Sequence, residues 1–305
     1  GGMFGYLEGN ISAKGSNDLN IPVTARKEKA GGVAGYLKNC QLNINMFQLI
    51  NTMSVTSLKS AGGIAGYAEG CTFTGSVKSY DPKEGIPAKS SFSSDFSGIV
   101  QGDPKSDVGE NMGGIAGYAK NSSFENICCT GTVKGTSRIG GIVGYLDNRG
   151  GGTMKYCISN MSKGIRGAGN EVGGIAGLIE TSNAFYTHFI NYTTVTGKNH
   201  TGGVIGHIMP LGKNNAFTLE YGINTANVTG TINVGGVIAY LNHDGGNFSG
   251  KAMQVKYCAN YGDITNSGEG NIGGIMGHGN RKQMYVMWCA NHGTIYAEGP
   301  SKVGG

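Results

Sequence analysis

The hydrophobic positions of this chain fall in short groups that recur along its whole length. Each group begins with two glycines, continues with an apolar residue that is usually Ile or Val, a small or apolar residue and a glycine, and usually ends with Tyr, as in GGIAGY at residues 62–67. Short β-branched and aromatic groups bounded by Gly, Asn and Ser are typical of strands separated by turns. Because no segment sustains apolar residues at i, i+3, i+4 and i+7, we expect few or no helices.

The spacing of the glycine pairs predicts the architecture. The first glycine of each pair is residue 1, 31, 62, 113, 140, 173, 202, 235 or 273, and most spacings are close to 31 residues. A fixed period of roughly 20 to 50 residues is typical of solenoids, propellers and arrays. A path of this length suits one coil of two or three short strands. We therefore predict an all-β parallel β-solenoid of about nine coils of roughly 31 residues.

The domain prediction is one repeat array over residues 1–305. Both ends fall within the motif, as Gly1-Gly2 and Gly304-Gly305, so we expect the array to be truncated at both ends. Residues 80–111 interrupt the period with three of the six prolines and an excess of acidic residues, which predicts an insertion loop. Long loops on a regular scaffold are frequently functional.

A second motif follows each glycine motif, and its clearest copies are YCANYGDI at 257–264 and WCANHGTI at 288–295. Alternation with apolar residues predicts inward-facing free thiols at Cys71, Cys157, Cys258 and Cys289. A disulfide between Cys258 and Cys289 is the alternative, since stacked positions lie close enough to bridge. The shared asparagine predicts a hydrogen-bonded ladder at a corner, formed by Asn191, Asn224, Asn260 and Asn291.

Within the glycine motif, some positions are predicted to be structural and one, the tyrosine, is a candidate for binding. Glycines fit where backbones approach closely or a corner needs positive φ, and the β-branched residue forms an apolar ladder inside. Strand alternation places the tyrosine on the opposite face. If that face is exposed, its rings form a row on which sugars stack, and if loops cover it, the rings form a second core. Apolar residues on both faces favour covering.

Composition and charge exclude several functions. The chain has 57 glycines without a Gly-X-Y period, only 14% charged residues, and a net charge of +5 that is spread along the sequence. This distribution predicts no nucleic-acid partner. No apolar run approaches the roughly 18 residues of a spanning helix, so we expect no membrane insertion of this segment.

The motifs GGIAGY, GGVAGY and GGIVGY, each followed by strings similar to CANYGDI, resemble the GLUG-motif repeats of bacterial surface and secreted proteins. These include large adhesins and the noncatalytic parts of IgA-specific metallopeptidases. The resemblance covers the chain except residues 80–111. It implies an extracellular or cell-surface bacterial protein with a scaffold or adhesive role, whose partner is a host glycan or surface protein.

The sequence predicts no enzyme site, metal site or cofactor. No glycine motif ends in the Gly-Lys-Ser/Thr of a phosphate-binding loop, and no histidine is followed by Glu as a zinc-protease helix requires. The sequence does not predict the oligomeric state. Two other functions stay open: a polysaccharide-degrading β-helix enzyme and a noncatalytic region of a secreted metallopeptidase.

The candidate binding residues come from two places. The tyrosine row supplies Tyr36, Tyr67, Tyr118 and Tyr145, because aromatic rings stack on sugars and offer a polar hydroxyl. The acids of the insertion supply Asp95, Asp103 and Asp107, although their spacing matches no known calcium loop.

Overall fold

The computed structural model describes residues 1–9, 17–19, 22–49, 54–103, 108–211, 216–242, 253–280 and 283–305. Over these residues the chain winds into a parallel β-solenoid, which confirms the predicted all-β fold. The described residues contain no α-helix and three short 3-10 turns, at Ile44–Met46, Pro82–Glu84 and Lys89–Ser91. No described helix has the length and apolarity needed to cross a bilayer.

Four parallel sheets run along the solenoid, and each coil contributes to them in turn. Sheet 1 follows the glycine pair and contains Phe4–Glu8, Ala34–Lys38, Ala65–Glu69, Ala116–Lys120, Val143–Asn148, Ala176–Thr181, Ile205–Pro210, Ile238–Asn242 and Met276–Asn280. Sheet 2 contains Gln41–Asn43, Thr72–Thr74, Ser123–Cys129, Met154–Ser159, Ala184–Asn191, Phe217–Asn224, Met253–Lys256, Ala259–Asn260, Met284–Met287 and Ala290–Asn291.

The remaining sheets close each coil and lead into the next glycine pair. Sheet 3 contains Val23–Ala25, Ser54–Ser57, Ile99–Gln101, Thr132–Gly135, Ile165–Gly167, Val195–Thr196, Val228–Gly230, Ile264–Asn266 and Ile295–Ala297. Sheet 4 contains Lys29–Gly31, Ser60–Gly62, Glu110–Gly113, Ser137–Gly140, Asn170–Gly173, Asn199–Gly202, Ile232–Gly235, Gly270–Gly273 and Ser301–Gly304. A separate pair joins Asn17–Leu19 to Phe47–Leu49.

A coil therefore has four strands, and the prediction of two or three was wrong. The segment between the end of the second motif and the next glycine pair supplies most of the short strands of sheets 3 and 4. Strands of three or four residues are too short to show the alternation on which strand prediction depends.

The interior contains a large apolar core in which equivalent residues stack, and a separate smaller cluster of Val228, Val234, Ile264 and Ile272. The β-branched residue after each glycine pair is fully buried in seven consecutive coils, at Val33, Ile64, Ile115, Ile142, Ile175, Val204 and Val237. This confirms the predicted apolar ladder. All seven cysteines are free thiols, six of them buried, so the disulfide alternative is not realised. Cys71, however, stacks beside Ser122, whose hydroxyl accepts from the Cys71 amide, outside the row of Ile127 and Cys157.

The glycine pair is required by close packing of main chains. A Cβ on Gly203 would lie far inside van der Waals contact of the Gly236 carbonyl oxygen and of the Asn224 side chain. In the same way, a Cβ on Gly174 would meet the Gly203 carbonyl oxygen, and a Cβ on Gly236 would meet the Asn260 side chain. The pairs do not have positive φ, so only the close-approach half of the explanation holds. The two motifs thus pack against each other in the coils that contain Gly174, Gly203, Gly236 and Gly274.

The predicted asparagine ladder is confirmed. The Nδ2 of Asn191 donates to Asn224 Oδ1 at 2.8 Å, and the pattern continues to Asn260 and Asn291 at 2.7 Å each. Each Nδ2 also donates to the carbonyl two residues later, at 2.7 or 2.8 Å. Both amide protons of Asn191, Asn224 and Asn260 are therefore satisfied in the interior.

The segment that leaves the coil is shorter than the predicted insertion of residues 80–111. Ile99–Gln101 pairs with neighbouring strands of sheet 3, and Glu110 begins a strand of sheet 4. The protruding part, residues 78–95, carries the two later 3-10 turns and packs on an apolar strip of sheet 2. Its residues Tyr80, Ile86 and Phe92 cover Cys128, Ile158, Ile190 and Ile223.

Candidate functional site

The tyrosines predicted as a row do form one on the outer face of sheet 1. The parallel register places Tyr6, Tyr36, Tyr67, Tyr118 and Tyr145 side by side, and continues through Leu178, His207, Tyr240 and His278. We call this set the aromatic row. Tyr36, Tyr67, Tyr118 and Tyr145 are half-buried, whereas Tyr6 is 52% exposed. The row is thus neither a bare surface nor a second core.

The rings touch along the solenoid axis but do not share one orientation. Neighbouring centroids are 4.7 to 5.2 Å apart from Tyr6 to Tyr145. Tyr67 and Tyr118 are stacked at an interplanar angle of 21°, while the pairs on either side of them are edge-to-face. Mutual contact of this kind holds each ring in place and limits the conformational entropy lost on binding.

One side of the aromatic row is bordered by polar residues from the beginning of the sheet 4 strands, which we call the corner row. Five of its members have positive φ between 50° and 65°, namely Asn111, Arg138, Glu171, His200 and Asn233. Their side chains lean over sheet 1: Arg138 Cζ lies 5.5 Å from the Tyr145 ring centroid, and the His200 ring stacks on Tyr240 at 4.5 Å. In an earlier coil, Lys29 Nζ lies 4.3 Å from the Tyr67 centroid. Cations over aromatic faces are stabilising.

Charged side chains border the other side, two residues further along the first six strands of sheet 1. The hydroxyl of Tyr36 donates to Glu69 Oε2 at 2.6 Å, and that of Tyr118 donates to Asp147 Oδ2 at 3.2 Å. Glu69 also pairs with Lys120 at 3.3 Å, and Asp147 pairs with Arg149 at 2.6 Å. The phenols are therefore fixed by carboxylates.

These contacts determine the protonation states on the face. Burial, with the hydrogen bond to Glu69, raises the pKa of Tyr36, and burial together with the Asp147 charge raises the pKa of Tyr118. The Tyr36 hydroxyl and then Lys120 lower the pKa of Glu69. At neutral pH the face therefore presents phenol donors beside ionised carboxylates.

The second half of the row is chemically different. His207 is buried, with Nδ1 3.2 Å from Glu171 Oε1 and Nε2 2.9 Å from Asn242 Oδ1. Burial, then the neighbouring His207, lowers the pKa of His200 to about 4. His207 pairs in register with Leu178, and His278 with Tyr240, so both histidines continue the aromatic row. In the described ranges, no three His, Cys, Asp or Glu side chains are arranged to hold a metal ion.

Of the predicted aspartates, Asp95 and Asp103 lie away from this face. Asp95 is only 5% exposed, and its two carboxylate oxygens accept from the amides of Ser76 and Cys128 at 2.9 and 2.8 Å, which gives it a structural role. Asp103 lies beside sheet 3, where its amide donates to the Val108 carbonyl oxygen at 2.8 Å. Asp107 lies outside the described residues.

Sequence reasoning missed a second stacked row, on sheet 2. Tyr221, Tyr257 and Trp288 stack nearly parallel with centroids 4.9 to 5.2 Å apart, and Tyr156 and His188 continue the row. All five residues have positive φ, between 52° and 59°. Four of them are the first residue of a copy of the second motif, and this shared position could have indicated the row. The bend of the backbone at this position was not predicted, because bulky residues rarely adopt positive φ.

The fold defines the chain as a parallel β-solenoid repeat protein. It is similar to the crystal structure of a proposed immunoglobulin A1 protease from Bacteroides ovatus, with 16% sequence identity and a TM-score of 0.38 over 84% of this chain and 79% of that chain. This similarity is too weak to support an inference about activity. No protein-family model and no curated protein matches the chain.

Proposed function

We propose that this chain is a noncatalytic repeat segment of an exported bacterial surface protein of the GLUG-motif type, and that the aromatic row binds glycans. The observation that carries the proposal is the run of five tyrosines held in register on one half-exposed face. A repeat segment that served only as a spacer would need repeated core residues inside the coil, but it would not need aromatic rings repeated on the outer face.

The surroundings of the rings support a sugar ligand. Aromatic faces pack against the C–H surfaces of sugars, while carboxylates and ammonium groups bond their hydroxyls. Aromatic rings and charged groups lie together here, because Tyr67 and Tyr118 are beside Lys29, Glu69 and Lys120. Since the phenols and carboxylates already hold one another, the face is preorganised for binding.

The test is a glycan array with the whole chain, followed by calorimetric titration of the best ligand. Tyr67→Ala and Tyr118→Ala should each weaken binding about tenfold, within the range for loss of a stacking ring. Tyr296→Ala is the matched control, because this tyrosine is 57% exposed on sheet 3, away from the row. Equal losses in all three variants would contradict a specific site on sheet 1.

The same preparation tests the polysaccharide-degrading alternative. Incubation with acidic and neutral polysaccharides should release no reducing ends or unsaturated products. Turnover that persists in Tyr67→Ala would replace the proposal with an enzyme whose site lies elsewhere on the solenoid.

A further inference from the structure

A cleft of about 400 Å³ lies where residues 78–95 meet the corner between sheets 2 and 3. Three cationic side chains line it, from Lys89, Lys163 and Arg166. The rest of its lining includes the hydroxyl residues Ser162, Tyr192, Thr194 and Thr196 and contains no carboxylate. The cleft is separate from the aromatic row, which lies on sheet 1.

Two departures from the repeat create this cleft. Ser159 stacks on Asn191, and Ile165 stacks on Val195. Five residues separate Ser159 from Ile165, whereas only three separate Asn191 from Val195. The two extra residues form a turn at Ser162–Lys163, and Gly164 follows with φ 80°. This widened corner places Lys163 beside the protruding segment, which is itself the largest departure from the period.

The wall formed by the protruding segment is anchored. Asn160 Nδ2 donates to the Lys89 carbonyl oxygen at 3.2 Å, and the Tyr192 hydroxyl donates to the Pro87 carbonyl oxygen. Lys89 therefore projects from a fixed main chain, opposite a strand of sheet 3 that carries Arg166. Lys163 and Arg166 are close in sequence, and these contacts bring the distant Lys89 to them.

The charges in the cleft are not neutralised within the described part of the chain. None of Lys89, Lys163 and Arg166 has a carboxylate within 4.0 Å, whereas the cations bordering the aromatic row, such as Lys120 and Arg149, are paired. Like charges repel, so their convergence costs free energy that an anion would recover. Arg166 offers the planar donor set that suits a carboxylate or sulfate.

We propose that this cleft binds the anionic group of an acidic saccharide, a sugar carrying a carboxylate or sulfate. The lysines and Arg166 hold the anion, and the hydroxyls of Thr194 and Thr196 face the sugar hydroxyls. A volume of about 400 Å³ is within the range of small-ligand pockets, and larger than a lone anion requires. The site is independent of the aromatic row.

Titration calorimetry on the whole chain at low salt tests this site. The probes are a sulfated chondroitin disaccharide, sialyllactose, lactose and sodium sulfate. We expect one or both acidic sugars to bind, lactose not to bind, and the affinity to fall as salt is added, since exposed charges are screened. Sulfate binding as tightly as the acidic sugars would overturn the saccharide assignment, and silence of both acidic sugars would overturn the site.

Variants locate the binding. The double change Lys89→Gln and Lys163→Gln, and separately Arg166→Gln, should each weaken binding about tenfold or more through loss of charged hydrogen bonds. Lys59→Gln is the control, an exposed lysine in another coil, and should bind as the unaltered chain does. Repeating the titration in Tyr67→Ala removes the contribution of the aromatic row, so the affinity for the acidic sugar that remains is that of the cleft. Full affinity in both cleft variants would overturn the proposal.

Discussion

The asparagine ladder and the aromatic row repeat one residue type in register, yet they differ in what surrounds them. Inside, Asn191, Asn224 and Asn260 are fully buried, and each amide bonds the next asparagine and a main-chain carbonyl. Outside, the tyrosines are half-exposed, and their ring angles vary from 21° to 88°. The repeated asparagines inside use their amide hydrogen bonds within the fold, whereas the repeated tyrosines outside leave ring surface available to a ligand.

The largest expected loss of stability comes from a substitution in the interior, where the glycine pair packs against the asparagine ladder. Gly203→Ala places a Cβ against the Gly236 carbonyl oxygen and the Asn224 amide, neither of which has room to move. We expect a loss of about 4 kcal/mol or more in the free energy of unfolding, measured by urea denaturation. Gly5→Ala is the control, because a Cβ there meets nothing within 4 Å. Similar stability of the two variants would show that close approach does not explain the glycine pair.

A smaller loss is expected when the ladder itself is cut. Asn224→Ala removes the donor to Asn260 Oδ1 and to the Ala226 carbonyl, and leaves buried acceptors unpaired. The expected cost is about 3 kcal/mol in the free energy of unfolding. Asn227→Ala, at an exposed asparagine in the same coil, should cost far less. If both changes cost the same, the ladder contributes no more than an ordinary surface turn.

The smallest effect belongs to the outer face and depends on pH. Burial and then His207 lower the pKa of His200 from 6.5 to about 4, although Glu171 opposes this shift. In the unfolded chain the imidazole takes up its proton near pH 6.5, so the stability contributed by neutral His200 is complete above pH 6.5 and is lost as pH falls towards 4. The expected loss is on the order of 2 kcal/mol.

His200→Asn should flatten this acid-side decline in urea denaturation measured between pH 4 and 7, because Asn does not titrate there. Asparagine occupies the equivalent corner position at Asn233, so the backbone with positive φ should accept it. An unchanged slope in the variant would assign the decline to other groups.

The sequence was sufficient for the fold because the repeat places every interior residue in contact with its own equivalents. From the period alone, the stacking of Ile64 on Ile115 and of Asn191 on Asn224 could be predicted, and both are present. The outward direction of Tyr67 also follows from alternation. How far Tyr67 is covered does not follow, because Lys29 reaches it from an earlier coil, at a corner that the sequence pattern does not mark.

The corners were misjudged because they are set by backbone dihedrals and not by hydrophobicity. Arg138, Tyr156 and His200 adopt positive φ without being glycine, so no residue type identified the bends. The extent of the insertion was misjudged because Ile99–Gln101 is a strand of only three residues. The cleft cations were not foreseen, because Lys89 and Arg166 meet only through the hydrogen bonds of Asn160 and Tyr192.

The anchored segment at residues 78–95 also changes how the array should come apart. In a solenoid each coil touches only its neighbours, so unfolding proceeds coil by coil as in a one-dimensional chain. Here, a segment leaving the coil that begins at Gly62 bonds Asn160 and Tyr192, in the coils that begin at Gly140 and Gly173. These non-neighbour bonds join four consecutive coils into one cooperative unit, which should open as a block and exchange its amide protons last.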